Sequence, residues 1–382
     1  MLNPKPILLV TETPPGTPNG FGVTLDCLFK DIDHRVLYTD ASYKTHCEHK
    51  GYILGQVPFH SSRRYYFKYL FGLIPEWRGR YSHKWLKTNL GKEYSAVYAF
   101  VYSAECIKFS NWISGVLGIP LLVHLADHSK EFQSIEVTKT LQECSKVICI
   151  TGEMQKNYET MLGRKDIEVL HNGAEDRCFN ILEPKKPPFN KDNPFKFCFL
   201  GGLFSHLHGD CIEDFFAAIE KARKKYQWIE FHLFGQKQPA NFLSEFLSLD
   251  GVKHHGIIMP LDKKFEIMEQ AHCFFIPSSF RDSKHEHYKY SFPTKLPELI
   301  ASGRPILSYG PAGTSANRLL DQQNIGIRIH KRSVDNLVRS IMELIDCYSQ
   351  KLDLAKSSRK LAENKLSAHQ VRAKLTQIIG IE

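Results

Sequence analysis

The sequence predicts an α/β protein made of two doubly wound domains, and three observations carry that expectation. Its 382 residues exceed one ordinary core and fit two domains of roughly 150 to 200 residues each. Short apolar runs of strand length alternate with amphipathic segments of helix length, the rhythm of parallel sheets covered on both faces by helices. Residues 183–194, rich in Pro, Lys and Asn, interrupt that rhythm and read as a linker.

Composition fits a globular protein, with 42% hydrophobic and 24% charged residues. No apolar run approaches the roughly 20 residues that a membrane helix needs. The first run stops at Thr11-Glu12, so a signal peptide is not expected. Ten cysteines at irregular spacing, with no Cys-x-x-Cys pair, point to reduced thiols in a cytoplasmic compartment rather than to disulfides or a zinc site.

The first domain is expected over residues 1–182. Residues 7–11 read as a buried strand, followed by a glycine-rich loop at Asn19-Gly20-Phe21-Gly22 and a helix over 23–32. Such a strand, turn and helix start can bind a phosphate, although the Gly-x-Gly-x-x-Gly spacing is missing. Asp31-Ile32-Asp33 matches an Asp-x-Asp metal pattern, but it falls where this helix ends and the strand at 35–38 begins, so no metal site is assigned.

Residues 43–91 lack a clean strand–helix rhythm. The formal net charge of +9 is concentrated here: from Arg63 to Lys92 there are eight Lys or Arg and one acid, Glu76, which is +7. Cations and aromatics interleave, as in Arg63-Arg64-Tyr65-Tyr66-Phe67-Lys68 and Trp77-Arg78-Gly79-Arg80-Tyr81. That mixture suits the anionic surface of a membrane, reached peripherally from the cytoplasmic side; an ordinary helical insertion also fits, and single-stranded nucleic acid fits less well.

The rhythm resumes with strands at 96–101, 120–125, 146–150 and 167–170 and helices at 104–117 and 152–162. Ligands of parallel sheets bind at the carboxyl ends of strands. This places Asp127 and His128, just beyond the strand at 120–125, as candidates to take or guide the proton of a substrate hydroxyl.

The second domain is expected over 195–363, with strands at 195–200, 229–234, 252–256 and 273–276 and a helix at 211–224. Its most informative stretch runs from Tyr290 to Tyr309. Ser291 reads as a helix cap, Pro293 as a first-turn residue, and Gly303 as the stop before Arg304-Pro305 and a buried strand. The helix start at Thr294-Lys295 forms an anion site, and Glu298 lies one turn further on the same face. A phosphate cradle beside a carboxylate matches the diphosphate and vicinal hydroxyls of a nucleotide. The amides of the later turn around Gly313 are placed to face the same phosphates. His285-Glu286-His287 has the wrong spacing for a helical metal pair and reads as exposed loop.

The stretch resembles the nucleotide-binding segment of GT-B glycosyltransferases of the large retaining family 4 (group 1) type, in the form Pro-x-Lys-x-x-Glu followed by Ala-x-Gly-x-Pro. The resemblance implies two Rossmann-like domains facing across a cleft. The donor, a nucleoside-diphosphate sugar, would lie in the second domain, and a glycan or lipid-linked acceptor in the first. No bound cofactor or metal is implied. It also implies that Glu298 holds the donor ribose, that Gly20 and Gly22 face the donor phosphates, and that the loops at Gly235 and Ile257 hold the base. Ser278 matches a Pro-Ser pair at the donor site. Residues 364–382 would cross back to the first domain as a terminal helix.

The chain departs from the family pattern at three positions. Tyr290 stands where a first Glu is usual, and Gly202 and His208 stand where an Arg and a Lys brace the diphosphate. The implied activity is sugar transfer in surface polysaccharide or lipopolysaccharide synthesis. A sugar-nucleotide epimerase and a catalytically silent nucleotide-sugar or polyanion binder are the alternatives.

Overall fold

The computed structural model describes residues 5–17, 19–39, 52–56, 93–259 and 262–380, so the basic aromatic stretch from Arg63 to Lys92 lies outside the described residues. The chain divides into two compact units, Met1–Asn172 with Val371–Glu382, and Gly173–Gln370.

The first unit is built on a seven-stranded, all-parallel sheet. Its strands are β1 (Ile7–Thr11), β2 (His34–Tyr38), β3 (Tyr52–Gln56), β4 (Val97–Val101), β5 (Leu121–Leu125), β6 (Lys146–Cys149) and β7 (Glu168–Val169), in the spatial order β3-β2-β1-β4-β5-β6-β7. β1, β4 and β5 are buried at every position, because helices cover both faces and leave no side for polar alternation. The helices Ala104–Leu117 and Gly152–Leu162 start at Ser103 and Thr151, whose side chains accept from the amides of Cys106 and Met154, and each stops at a glycine in the left-handed region. Leu9, Leu28, Tyr98 and Ile148 form a core that Val371 and Leu375 of the C-terminal helix Ala368–Ile379 complete.

The second unit carries a six-stranded parallel sheet and a small two-stranded one. The strands are β8 (Phe195–Leu200), β9 (Leu203–Phe204), β10 (Ile229–Phe234), β11 (Lys237–Gln238), β12 (Val252–His254), β13 (Cys273–Pro277), β14 (Ile306–Tyr309) and β15 (Ile327–Ile329). The large sheet runs β12-β10-β8-β13-β14-β15, and β9 pairs with β11. Numbered within the unit, the large sheet has the order 3-2-1-4-5-6, the order of dinucleotide-binding folds. Alternation along β13 divides the core. Cys273 and Phe275 join Phe197, Phe215 and Phe231 on one face, and Phe274 and Ile276 join Leu299 and Leu320 on the other.

Several elements differ from the sequence reading. The first helix is Gly20–Phe29, capped by Asn19, so Gly20 and Gly22 lie in its opening turn rather than in a loop. Gly22 is required for packing, since a Cβ there would lie 2.6 Å from the carbonyl oxygen of Thr17. The strand β3 and the helices Ile135–Glu143 and Lys263–Gln270 were not anticipated, the helices because each is short with few apolar positions. Residues 183–194 belong to the second unit. Phe189 buries its ring against Phe195, Trp228, His272 and Tyr348, which ties this polar segment to the core.

Candidate active site

Both sheets reverse their winding next to their first strand, between β1 and β4 and between β8 and β13, where parallel sheets open a crevice at the carboxyl ends. In the first unit a carboxylate spans that point. Glu12, immediately after β1, is 6% exposed and accepts from the Ser103 hydroxyl at 2.6 Å, the Ser103 amide at 2.8 Å and the Tyr102 amide at 3.2 Å, beyond β4. Burial pushes this carboxyl up to about 7, while the hydrogen bonds pull it the other way. The sequence reading missed Glu12. Its position directly after a buried strand was the available signal.

Asp127 and His128 follow β5 in the same unit. The Asp127 carboxylate accepts the His128 amide at 2.8 Å, closing a turn, and His128 Nδ1 lies 3.4 Å from the Tyr158 hydroxyl. Asp31 pairs with Arg372 at 3.0 Å and Asp33 with Arg35 at 2.7 Å, so each carboxylate of the Asp-x-Asp pattern is held by an arginine. Among the described residues no group of three or more His, Cys, Asp or Glu is placed to hold a metal ion.

In the second unit the loops after β8, β10 and β12 pack backbone to backbone. Gly235 donates to the carbonyl of Gly256 at 2.7 Å, and the amide of Gly201 to that of Phe234 at 2.9 Å. Gly235 has φ 144°, and a Cβ there would lie 1.7 Å from the Gly201 carbonyl oxygen. Ile257, next along, is 55% exposed. Ser278, beyond β13, is buried, its amide donates to the carbonyl of Tyr309 at 2.9 Å, and its carbonyl accepts from the Cys211 thiol at 3.2 Å. The turn holding Gly313 is fixed by Asn317, fully buried, whose Nδ2 donates to the carbonyls of Gly310 and Pro311 at 2.7 and 2.9 Å.

The segment around Glu298 is shifted from its expected form. Residues Asp282–Tyr290 are a helix, which takes in His285-Glu286-His287, and Ser291 ends that helix rather than starting the next. The following helix is Leu296–Ala301, with Pro297 in its first turn, and Thr294 and Lys295 form the turn before it. Tyr290, in the place of a first Glu, is buried. Glu298 is 5% exposed, and its Oε1 accepts from Lys264 Nζ at 2.8 Å. Lys264 also donates to Glu175 Oε1 at 2.9 Å. Burial alone would push the Lys264 ammonium down, but the carboxylates of Glu298 and Glu175 outweigh it and hold it above its ordinary value. Lys295 is half-buried, and burial pushes its ammonium below the ordinary value, against the pull of Glu298. Neither Lys264 nor Glu175 belongs to a motif, and nothing in their local sequence signals their meeting with Glu298.

Residues 194–347 match the family model described as Glycosyl transferases group 1. The second unit holds a group 1 glycosyltransferase domain. The whole chain resembles solved structures at low identity. HepE of Anabaena, in complex with UDP and glucose, is 16% identical, with 99% of this chain and 100% of that one covered at a TM-score of 0.71. WaaG, a glycosyltransferase involved in lipopolysaccharide biosynthesis, is 14% identical, with 98% and 100% covered at 0.64. Sucrose-phosphate synthase of Thermosynechococcus elongatus is 14% identical, with 98% of each chain covered at 0.64. The fold is GT-B. No curated protein matches the sequence.

Within the glycosyltransferase domain, the two positions expected to brace a diphosphate do structural work. His208 interrupts the helix Ser205–Arg223 with φ −133° and ψ 15°. Its Nε2–H donates to the Gly202 carbonyl at 2.8 Å, and Nδ1 lies 3.1 Å from the Tyr288 hydroxyl. Burial pushes the His208 imidazole down to about 4, so it is neutral at pH 7 and supplies no cation. Gly202 leaves room for the Phe204 ring, which a Cβ would meet at 2.2 Å. No helix among the described residues is long and apolar enough to cross a membrane.

Proposed function

We propose that the chain is a metal-independent, retaining glycosyltransferase that moves a hexosyl group from UDP-sugar to a glycan or lipid-linked acceptor, in surface polysaccharide or lipopolysaccharide synthesis. The observation that carries the reading is Glu298, a buried carboxylate at a helix start within the segment that matches the group 1 model. The UDP complex of HepE and the lipopolysaccharide role of WaaG support the choice of base and pathway.

In this reading residues 195–363 take the donor and residues 1–182 the acceptor. Glu298 accepts the ribose hydroxyls, and the loops at Gly235 and Ile257 flank the base. Lys295, Thr294 and the turn at Gly313 face the diphosphate. Lys295 then stabilises the negative charge that develops as UDP leaves, and it does so strongly because it is half-buried. Asp127 and His128 guide the proton of the attacking hydroxyl. The basic stretch from Arg63 to Lys92 meets the anionic inner face of a membrane.

A thermal-shift screen against UDP, GDP, ADP, CMP and dTDP tests the donor assignment. UDP at about 100 times its dissociation constant should add roughly 2.7 kcal/mol to folding, and Glu298→Ala should lose most of that gain. The neutral His208 and the missing arginine at Gly202 favour a second reading, a silent nucleotide-sugar binder. Release of UDP from UDP-sugar in the presence of a membrane extract distinguishes the two. Stabilisation without release supports the binder.

A further inference from the structure

The group of Glu175, Lys264 and Glu298 holds two carboxylates and one ammonium. All three side chains stand at the beginnings of helices: Glu175 immediately before Asp176–Phe179, Lys264 as the second residue of Lys263–Gln270, and Glu298 as the third of Leu296–Ala301. Helices that lead into parallel strands begin on the side of the sheet where strands end, so the three converge at the ligand-binding edge. Lys264 is 15% exposed and Glu298 7% by side chain, whereas Glu175 is 42% exposed. The stem of Lys264 is confined as well, with Nζ 4.9 Å from the ring centre of Phe265.

The consequence lies in how the Glu298 oxygens are used. Oε1 is taken by Lys264, and Oε2 accepts no hydrogen bond from the described residues. A carboxylate oxygen has two lone-pair directions, so Oε2 and the remaining direction of Oε1 are left for a pair of neighbouring hydroxyls. We propose that Lys264 is a positioning residue for the donor: it holds the Glu298 carboxylate in one orientation, anchored in turn by Glu175, and so gives the site its selectivity for an intact ribose diol. This rests on the assignment of Glu298 to the donor ribose. It extends that assignment to residues outside the motif.

The physical alternative is that Lys264 only neutralises a buried charge. Removing the ammonium would then weaken every nucleotide equally or lower stability alone. Positioning predicts a selective loss, because a carboxylate without its anchor turns away, and only the contact to the diol depends on its direction.

The test measures binding of UDP and of 2′,3′-dideoxy-UDP to the full chain by titration calorimetry. Four proteins are compared: wild type, Lys264→Met, Lys264→Gln and Glu175→Gln. Wild type should prefer UDP by about tenfold or more, the worth of an unpaired buried polar group. Lys264→Met should bring the two affinities to within about twofold while changing that for the dideoxy compound by less than about threefold. Glu175→Gln should fall between. If Lys264→Met does not fold, as judged by near-UV circular dichroism, Lys264→Gln is read in the same way, since it removes the charge and its amide ends one bond short of the ammonium that meets Glu298 at 2.8 Å. A lysine variant that keeps the wild-type preference overturns the positioning role and leaves the Glu298 assignment standing. A wild type with no preference for UDP overturns both.

Discussion

Glu12 accepts the amide of Ser103 at 2.8 Å and its hydroxyl at 2.6 Å, joining the loops that follow β1 and β4. In the second unit Asp210, inside the helix Ser205–Arg223, makes a related contact: its Oδ2 accepts the Phe280 amide at 2.9 Å from the loop after β13. In both units a buried acid ties the segment after a sheet's fourth strand in spatial sequence to an earlier part of the same unit.

The Glu12 carboxyl is raised to about 7 from an ordinary 4.5, so the native state binds its proton more tightly than the unfolded chain does. Its contribution to stability is complete below pH 4.5 and is lost as pH rises through 7. At about 1.4 kcal/mol per tenfold change in proton affinity, the loss amounts to about 3 kcal/mol. Urea denaturation from pH 4.5 to 8 should show this slope, and Glu12→Gln should flatten it. A Glu12→Gln protein with the wild-type slope would contradict the assignment.

Buried histidines act in the opposite direction. Burial pushes His124 down to about 3 and His272 to about 4. His272 is locked as a neutral tautomer, with Nδ1 accepting from the Lys196 amide at 3.0 Å and Nε2 donating to the Lys185 carbonyl at 3.2 Å. Their contributions are complete above the ordinary histidine value of 6.5 and are lost as pH falls toward the native values. Each is expected to remove about 2 kcal/mol by pH 5. His272→Gln should make the acid side of the stability profile shallower, measured by the same denaturation series.

Gly235 cannot be replaced. Alanine there combines φ 144° with a Cβ 1.7 Å from the Gly201 carbonyl oxygen. Gly235→Ala should cost about 3 kcal/mol or more. Gly118→Ala provides the contrast. Its φ of 65° strains the backbone, but nothing stands within 4 Å, so a loss of about 1 kcal/mol is expected. Thermal denaturation of the two variants in parallel checks the order.

Arg63, Arg64 and Lys68 give the membrane proposal its own test. Changing all three to Gln should reduce co-sedimentation with vesicles containing about 30% phosphatidylserine by tenfold or more at low salt, at roughly 1 kcal/mol per cation. Neutral vesicles should bind neither protein. Unchanged sedimentation would remove the membrane contact from the proposal.

Much of this protein was legible in the sequence because it is local. The buried runs of β1, β4 and β13 announce themselves through continuous apolar residues, those of β5, β8 and β10 through apolar runs broken by one or two polar residues, and Gly303 marks a helix end. Glu298 could be singled out from its motif. The helices Ile135–Glu143 and Lys263–Gln270 were hidden because short, charged helices leave a weak periodic trace.

Tertiary structure alone decided how the charges pair. Lys264 is 34 positions from Glu298 and 89 from Glu175, and Glu12 is 91 from Ser103. A parallel sheet brings such residues to one edge by joining distant strands, and a charge buried there must find its partner in space. For the same reason His208, where a sequence comparison expects a cation, is a neutral lock: its burial and its bond to Gly202 exist only in the folded chain.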